Sequence, residues 1–265
     1  MIPKTWENPV RAALREGKPV VGATISVASV EIAAQAAQLG FDFLWIEMEH
    51  SPITLETLRE MVLATRGLPA IPFARVPVVE HWTAKRVLDA GVLGVVFPFT
   101  STPELARVTA EATKYPPHGR RGYGPRLAEF RWPSEEGYAD FADRNVMTVA
   151  MIEEARAVDS IDEIAATPGI DVIFIGTADL SFSMGCRGNV QDPAVQDAIR
   201  RIAAAARANG KYAGVPVGTL SAIQKYMDQG FMFFQGPAEV VMMASSARQI
   251  LEPLGKTGST GKALY

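Results

Sequence analysis

The run FDFLWIEMEH, residues 41–50, opens as an apolar segment of strand character and stops in Glu47, Glu49 and His50, with only Met48 between them. Two carboxylates and an imidazole at the end of a core element need a reason, because burying ionisable groups is unfavourable unless they are paired. Its apolar part, FDFLWI (41–46), has seven counterparts: VVGATIS (20–26), IPFARV (71–76), VLGVVF (92–97), VMTVAMI (146–152), DVIFI (171–175), KYAGVPV (211–217) and FMFF (231–234). Between these runs lie segments with apolar residues at helical spacing, such as LETLREMVLAT, DSIDEIAAT, AVQDAIRRIAAAARANG and AEVVMMASSARQIL. Strands that alternate with helices in this way predict an α/β fold of the (β/α)8 TIM-barrel type. An open doubly wound sheet is the alternative that periodicity alone leaves standing. The tetrads LGFD, ANGK and QGFM and the run AGVLG each place a glycine where a helix should end in the left-handed conformation before the next strand.

In such a barrel the chemistry sits at the C-terminal ends of the strands. Unusual polar residues should therefore follow strands, and they do. The second strand ends in Glu47, Glu49 and His50, the third in Arg75, the fifth in Glu153 and Glu154, and the sixth in GTADLS with Asp179. The seventh ends near Pro216 and the eighth near Gly236, positions that offer backbone and shape rather than charge. Taken singly, an acid after a strand is more often the cap or first-turn acid of the next helix. Ser51 or Thr54 would cap the helix after His50 in the same manner. An unpaired guanidinium at the position of Arg75 would be unfavourable, and convergence of two acids, a histidine and an arginine from four strand ends makes a coherent site.

Composition fixes the setting. A chain of 265 residues with 48% hydrophobic residues is long enough for one large barrel, so a single domain spanning 1–265 is expected, with about 254–265 as a flexible tail. No apolar run approaches the roughly eighteen residues of a membrane span. The start MIPKTWENPV lacks a signal-like apolar stretch, and the single Cys186 permits no intrachain disulfide and no four-cysteine zinc site. These features favour the cytoplasm. A net charge of −3 gives no reason to expect nucleic acid or membrane as partner.

Other motifs carry less. GRRGYG (119–124) follows a Pro-Pro loop rather than a strand, so it is no dinucleotide fingerprint. Arg120, Arg121, Arg126 and Arg131 of that segment could bind an anionic substrate, form a subunit contact or make a solvated face. His81 reads as structural.

Taken together, NPVRAALREGKPVVGATIS, GFDFLWIEMEHSP, ARVP, LDAGVLGVVFP, YPPHGRRGYGP, AMIEEARAVDSIDEIAATPGIDVIFIGTADLSFSMG and GNVQDPAVQDAI resemble the HpcH/HpaI aldolases, metal-dependent hydroxy-ketoacid aldolases with a pyruvate/phosphoenolpyruvate-binding TIM barrel. The resemblance implies a lyase that reversibly cleaves 4-hydroxy-2-oxo acids to pyruvate and an aldehyde through a pyruvate enolate. It implies Glu153 and Asp179 as ligands of Mg²⁺, Mn²⁺ or Co²⁺, His50 in the acid/base relay with Glu47 orienting it, and Arg75 on the keto-acid. Glu49 would be an outlying partner or a loop anchor. Gly176, Thr177 and Ala178 would cradle the keto-acid carboxylate. Hard carboxylate oxygens suit such cations, which act as Lewis acids where enolate charge develops. The family also implies a homo-oligomer, commonly a hexamer built as a trimer of dimers, in which the helix at 238–251 is exchanged between subunits.

The chain departs from the family at Glu47 and Met48, where Asp-Gly is common. It departs also at Met151, where Gln is frequent, at Thr24, near a frequent Trp, and in FFQGPAE, which lacks a usual acid. Thr24, Met151 and Pro216 are expected to line the substrate pocket, the altered positions on its aldehyde side. Alternatives within and beyond this class are an oxaloacetate decarboxylase or macrophomate-synthase-like catalyst, a CoA-thioester lyase using the 118–131 segment, and a non-catalytic keto-acid-binding protein.

Overall fold

In the computed structural model, which describes residues 1–256 and 258, eight parallel strands pair in chain order and the last closes on the first. They are β1 (Val20–Ile25), β2 (Phe43–Glu47), β3 (Ile71–Arg75), β4 (Gly94–Phe97), β5 (Met147–Ile152), β6 (Val172–Ile175), β7 (Tyr212–Pro216) and β8 (Phe231–Ala238). The register Val20↔Phe233 between β1 and β8 completes the cylinder, which excludes the open sheet. The helices are α1 (Pro9–Arg15), α2 (Val30–Ala36), α3 (Leu55–Ala64), α4 (His81–Ala90), α5 (Pro103–Thr113), α6 (Arg126–Arg131), α7 (Tyr138–Asn145), α8 (Ala155–Asp159), α9 (Ile161–Ala166), α10 (Thr177–Ser183), α11 (Pro193–Ala208), α12 (Leu220–Met227) and α13 (Glu239–Leu251).

Local chemistry sets the helix ends. Thr54, Thr102 and Thr219 each accept the amide of the residue three positions on, which satisfies one of the unpaired first-turn donors of α3, α5 and α12. Thr54 is thus the cap of α3, while the Ser51 hydroxyl donates to the Glu47 carbonyl. Gly91 ends α4 at φ 107°, where a β-carbon would also press on Val62 and Arg131 at 3.2 Å. Gly40, Gly210 and Gly230 likewise take positive φ at the predicted breaks.

The barrel interior is built by side-chain alternation. Phe43, Trp45 and Glu47 of β2 are two residues apart and share one face, as do Phe73 and Arg75 of β3. Phe43 packs on Phe73 and Phe233 with ring centroids 5.0 and 4.5 Å apart, and above them Trp45 meets Phe174 at 4.9 Å. Room for the rings comes from glycines paired beside them: Gly22 opposite Phe43, Gly94 opposite Phe73 and Gly214 opposite Phe174. The next step upward on these faces brings Glu47 and Arg75 to the rim.

Several elements differ from expectation. β8 runs on to Ala238 instead of stopping at residue 234, DSIDEIAAT forms α9 from Ile161 and is preceded by a separate short helix, α8, that ends at its first residue, and GTADLS begins a helix, α10. The unanticipated α1 buries Val10 and Leu14 and is pinned by an Arg11–Asp171 ion pair at 2.7 Å. Most of the expected flexible tail, residues 257 and 259–265, lies outside the described residues.

Candidate active site

Strand ends two, three, five and six bring a compact set of ionisable groups to the C-terminal rim. Glu47 and Arg75 are register partners across β2 and β3. Arg75 Nε donates to Glu47 Oε2 at 2.6 Å, and the Trp45 indole N–H donates to the same oxygen at 3.3 Å. Arg75 Nη1 also stands 3.1 Å from Glu49 Oε2. That approach has the distance of an ion pair without hydrogen-bond alignment, so Glu49 Oε2 is buried with no hydrogen bond. Met151 of β5 places its sulfur 3.9 Å from Arg75 Nη1.

Glu153 follows β5 directly and is 1% exposed. The Phe99 amide donates to its Oε1 at 2.6 Å, an aim made possible by a left-handed φ of 46° at Phe99. A β-carbon on Gly176 would lie 2.6 Å from Glu153 Oε2, so only glycine leaves that oxygen room. Burial pushes the Glu153 carboxyl up to about 7; the Phe99 amide opposes this, and the charges of Glu49 and Asp179 add to it. Glu49 is pushed up to about 7, chiefly by burial, with Arg75 opposing and Glu47 and Asp179 adding. Three acids thus feel one another around a single guanidinium.

The structure revises the part expected of Glu47. Its Oε1 accepts the amides of Glu49 and His50 at 2.8 and 3.1 Å, so it holds the backbone of the turn rather than the imidazole. The His50 ring, 64% exposed, faces Glu49 instead, with Nε2 3.6 Å from Oε2. The cause is register: Glu47 ends the strand with its carboxylate turned to Arg75, and the chain curls back over it. Glu49, expected at the margin, stands inside the cluster.

Other expected pocket residues divide. Gly176 donates its amide to Ile152 at 3.1 Å and is engaged in the sheet. Thr177 and Ala178, in the first turn of α10, carry amides with no intrahelical acceptor, and Asp179 is in the same turn. The Thr24 hydroxyl donates to the Gly236 carbonyl at 2.7 Å and seals the β1–β8 seam. Pro216, half-buried, ends β7. Phe99 and Trp45 were not singled out from sequence, although a residue after a strand and an aromatic two positions before a rim acid were the available signals. Glu239 was missed as well: its carboxylate accepts the Ser26 and Val27 amides and ties α13 to the end of β1.

The arginine segment lies elsewhere. Arg121 is buried against Asp89 at 2.9 Å, with its guanidinium 4.6 Å from the Tyr115 ring centre. Arg131 donates to the carbonyls of Val62 and Thr65 at the end of α3. Both hold helices together inside the fold, which none of the three sequence readings anticipated.

A parallel barrel whose strand tips converge on buried carboxylates and one clamped guanidinium defines an enzyme of the C-terminal-rim type. The profile of the HpcH/HpaI aldolase/citrate lyase family matches residues 24–245, and the chain belongs to that family. It is 34% identical to a hydroxypyruvate/pyruvate aldolase of Paraburkholderia phytofirmans, with 94% of this chain and 98% of the relative aligned. Identity to a 4-hydroxy-2-oxo-heptane-1,7-dioate aldolase of Shigella flexneri is 31%, covering 97% of each. The crystal structure of a HpcH/HpaI aldolase/citrate lyase family protein from Burkholderia cenocepacia superposes with a TM-score of 0.87 at 33% identity, over 94% of this chain and all of that one. The chain is accordingly an aldolase-type lyase.

Proposed function

We propose that this aldolase is divalent-metal-dependent and interconverts 4-hydroxy-2-oxo acids with pyruvate and an aldehyde. The observation that carries the reading is the unbalanced rim: Glu47, Glu49 and Glu153 share one guanidinium, Asp179 adds a further negative charge beside Glu49 and Glu153, and a buried Glu49 oxygen has no hydrogen bond. A surplus of buried carboxylate oxygen fits a hard cation. Metal dependence is the norm of the family. Glu153 and Asp179 would hold the ion. Two carboxylates alone would leave open positions for a keto-acid; among the described residues no group of three or more His, Cys, Asp or Glu side chains is arranged to hold an ion. When bound, Mg²⁺, Mn²⁺ or Co²⁺ supplies Lewis-acid stabilisation of the charge that develops on the keto oxygen.

The protein's own groups complete the chemistry. Arg75, fixed by Glu47, presents a preorganised positive charge to that oxygen, and such a donor supports a rate factor of about 10²–10³. Amides of Thr177 and Ala178 face the keto-acid carboxylate at the N-terminus of α10. His50, within reach of Glu49, carries the proton to and from the substrate. Met151 and the rim loops shape the aldehyde side.

The exposed apolar residues of α13, Val241, Met243, Ile250 and Leu251, suit a contact with a second copy and hence a homo-oligomer. The catalytic test is pyruvate release from a 4-hydroxy-2-oxo acid by chelator-treated protein. Activity should return with Mg²⁺, Mn²⁺ or Co²⁺ and be lost in Asp179→Asn with the fold intact by circular dichroism. Metal-independent cleavage would refute the reading.

A further inference from the structure

The segments that join each strand to the helix after it form the mouth of the barrel. Here they are residues 26–29, 48–54, 76–80, 98–102, 153–154, 176 and 217–219, and none of them contains a lysine or an arginine. The guanidinium at the strand tips, Arg75, is occupied by Glu47 and Glu49. Arg156, at the start of α8, lies on Glu154 at 2.7 Å. Arg187 lies four residues past the end of α10, in the segment that leads to α11 and not in one that follows a strand. Fixed charge in the mouth outside the reacting centre is therefore acidic, as at Glu80 and Glu154.

What the mouth offers is apolar surface. Met48 sits between the two site glutamates. Phe99, 42% exposed, carries the amide that holds Glu153. Met151 lies against Arg75 but is buried and offers no surface of its own.

We infer that the aldehyde this enzyme uses is neutral and apolar along its chain, and that aldehydes ending in a carboxylate or sulfonate are discriminated against. The inference rests on the pyruvate-aldolase reading and specifies its second substrate. An anionic tail would lose hydration on entering this mouth and meet carboxylates instead of a counter-charge. An alkyl or aryl tail would bury against methionine and phenylalanine. The reaction is balanced without a redox partner: pyruvate C3 loses one proton, bonds to the aldehyde carbon, and the new alkoxide takes up one proton.

The experiment compares butanal with 4-oxobutanoate, two four-carbon aldehydes that differ in the terminal group, at saturating pyruvate and Mn²⁺. Butanal should show at least tenfold higher kcat/KM, and Met48→Arg should narrow that ratio by raising turnover of 4-oxobutanoate. Equal or better use of 4-oxobutanoate by the unmodified enzyme overturns the inference. So does failure of both aldehydes in protein that still exchanges the methyl protons of pyruvate with solvent. Loss of that exchange would instead strike the pyruvate reading on which the inference stands.

Discussion

Arg75 reaches Glu47 Oε2 through Nε at 2.6 Å and comes within 3.1 Å of Glu49 through Nη1, so one guanidinium spans two carboxylates from the same turn. Glu47 is buried and Arg75 half-buried, and the other Glu47 oxygen holds the amides of Glu49 and His50. The position of Arg75 and the shape of the histidine loop therefore depend on one carboxylate.

Replacing Glu47 by glutamine keeps the size and removes the charge. We expect kcat to fall about 10²–10³-fold, the range for a displaced transition-state donor, while circular dichroism stays unchanged. Arg75→Lys should be no milder, since an ammonium cannot engage both acids as the planar fork does. Steady-state kinetics with a 4-hydroxy-2-oxo acid decides both.

Glu49 and Glu153 are each pushed up to about 7, first of all by burial. Between the ordinary carboxylate range and pH 7 the folded protein then holds more protons than the unfolded chain, so stability falls as pH rises through this window. In chelator the melting temperature should decline from pH 5 to pH 7.5. Mn²⁺ binds the deprotonated acids and should raise it more at pH 7.5 than at pH 5, as thermal scans at both values would show.

The aromatic floor of the barrel has no spare volume at its glycines. A β-carbon at Gly94 would come 2.2 Å from the Phe73 ring, and one at Gly22 equally close to Phe43. Gly94→Ala should destabilise by about 1–3 kcal/mol through overpacking, which denaturant titration measures.

Asp89 is the carboxylate partner of the buried Arg121. Asp89→Ala strands that guanidinium and should destabilise by about 3–5 kcal/mol. Turnover of the protein that remains folded should change little, because this pair joins α4 to the segment before α6, away from the rim. A fall in kcat/KM with unchanged stability would return the segment to the substrate site.

Much of this was legible in the sequence because alternation of strand and helix is written locally. The eight apolar runs and the glycines at 40, 91, 210 and 230 announce the barrel residue by residue. Site residues were legible as strand-end outliers, which placed Glu47, His50, Arg75, Glu153 and Asp179 on one rim. Side-chain direction was not. Whether Glu47 turns to His50 or to Arg75 depends on register between β2 and β3, a non-local fact. The left-handed turn at Phe99 belongs to tertiary structure in the same way, since phenylalanine does not signal positive φ. Arg121 and Arg131 misled because a cluster of arginines looks alike whether solvated or buried among carbonyls and tyrosine rings.

The most direct test of the account is exchange of the pyruvate methyl protons with deuterated water, followed by proton NMR in chelator-treated protein with and without Mg²⁺, Mn²⁺ or Co²⁺. Exchange that requires the metal and disappears in Glu153→Gln and His50→Ala is the expected result, since enolate formation precedes any choice of aldehyde. Absence of exchange with every metal, in protein that still binds pyruvate, would contradict it.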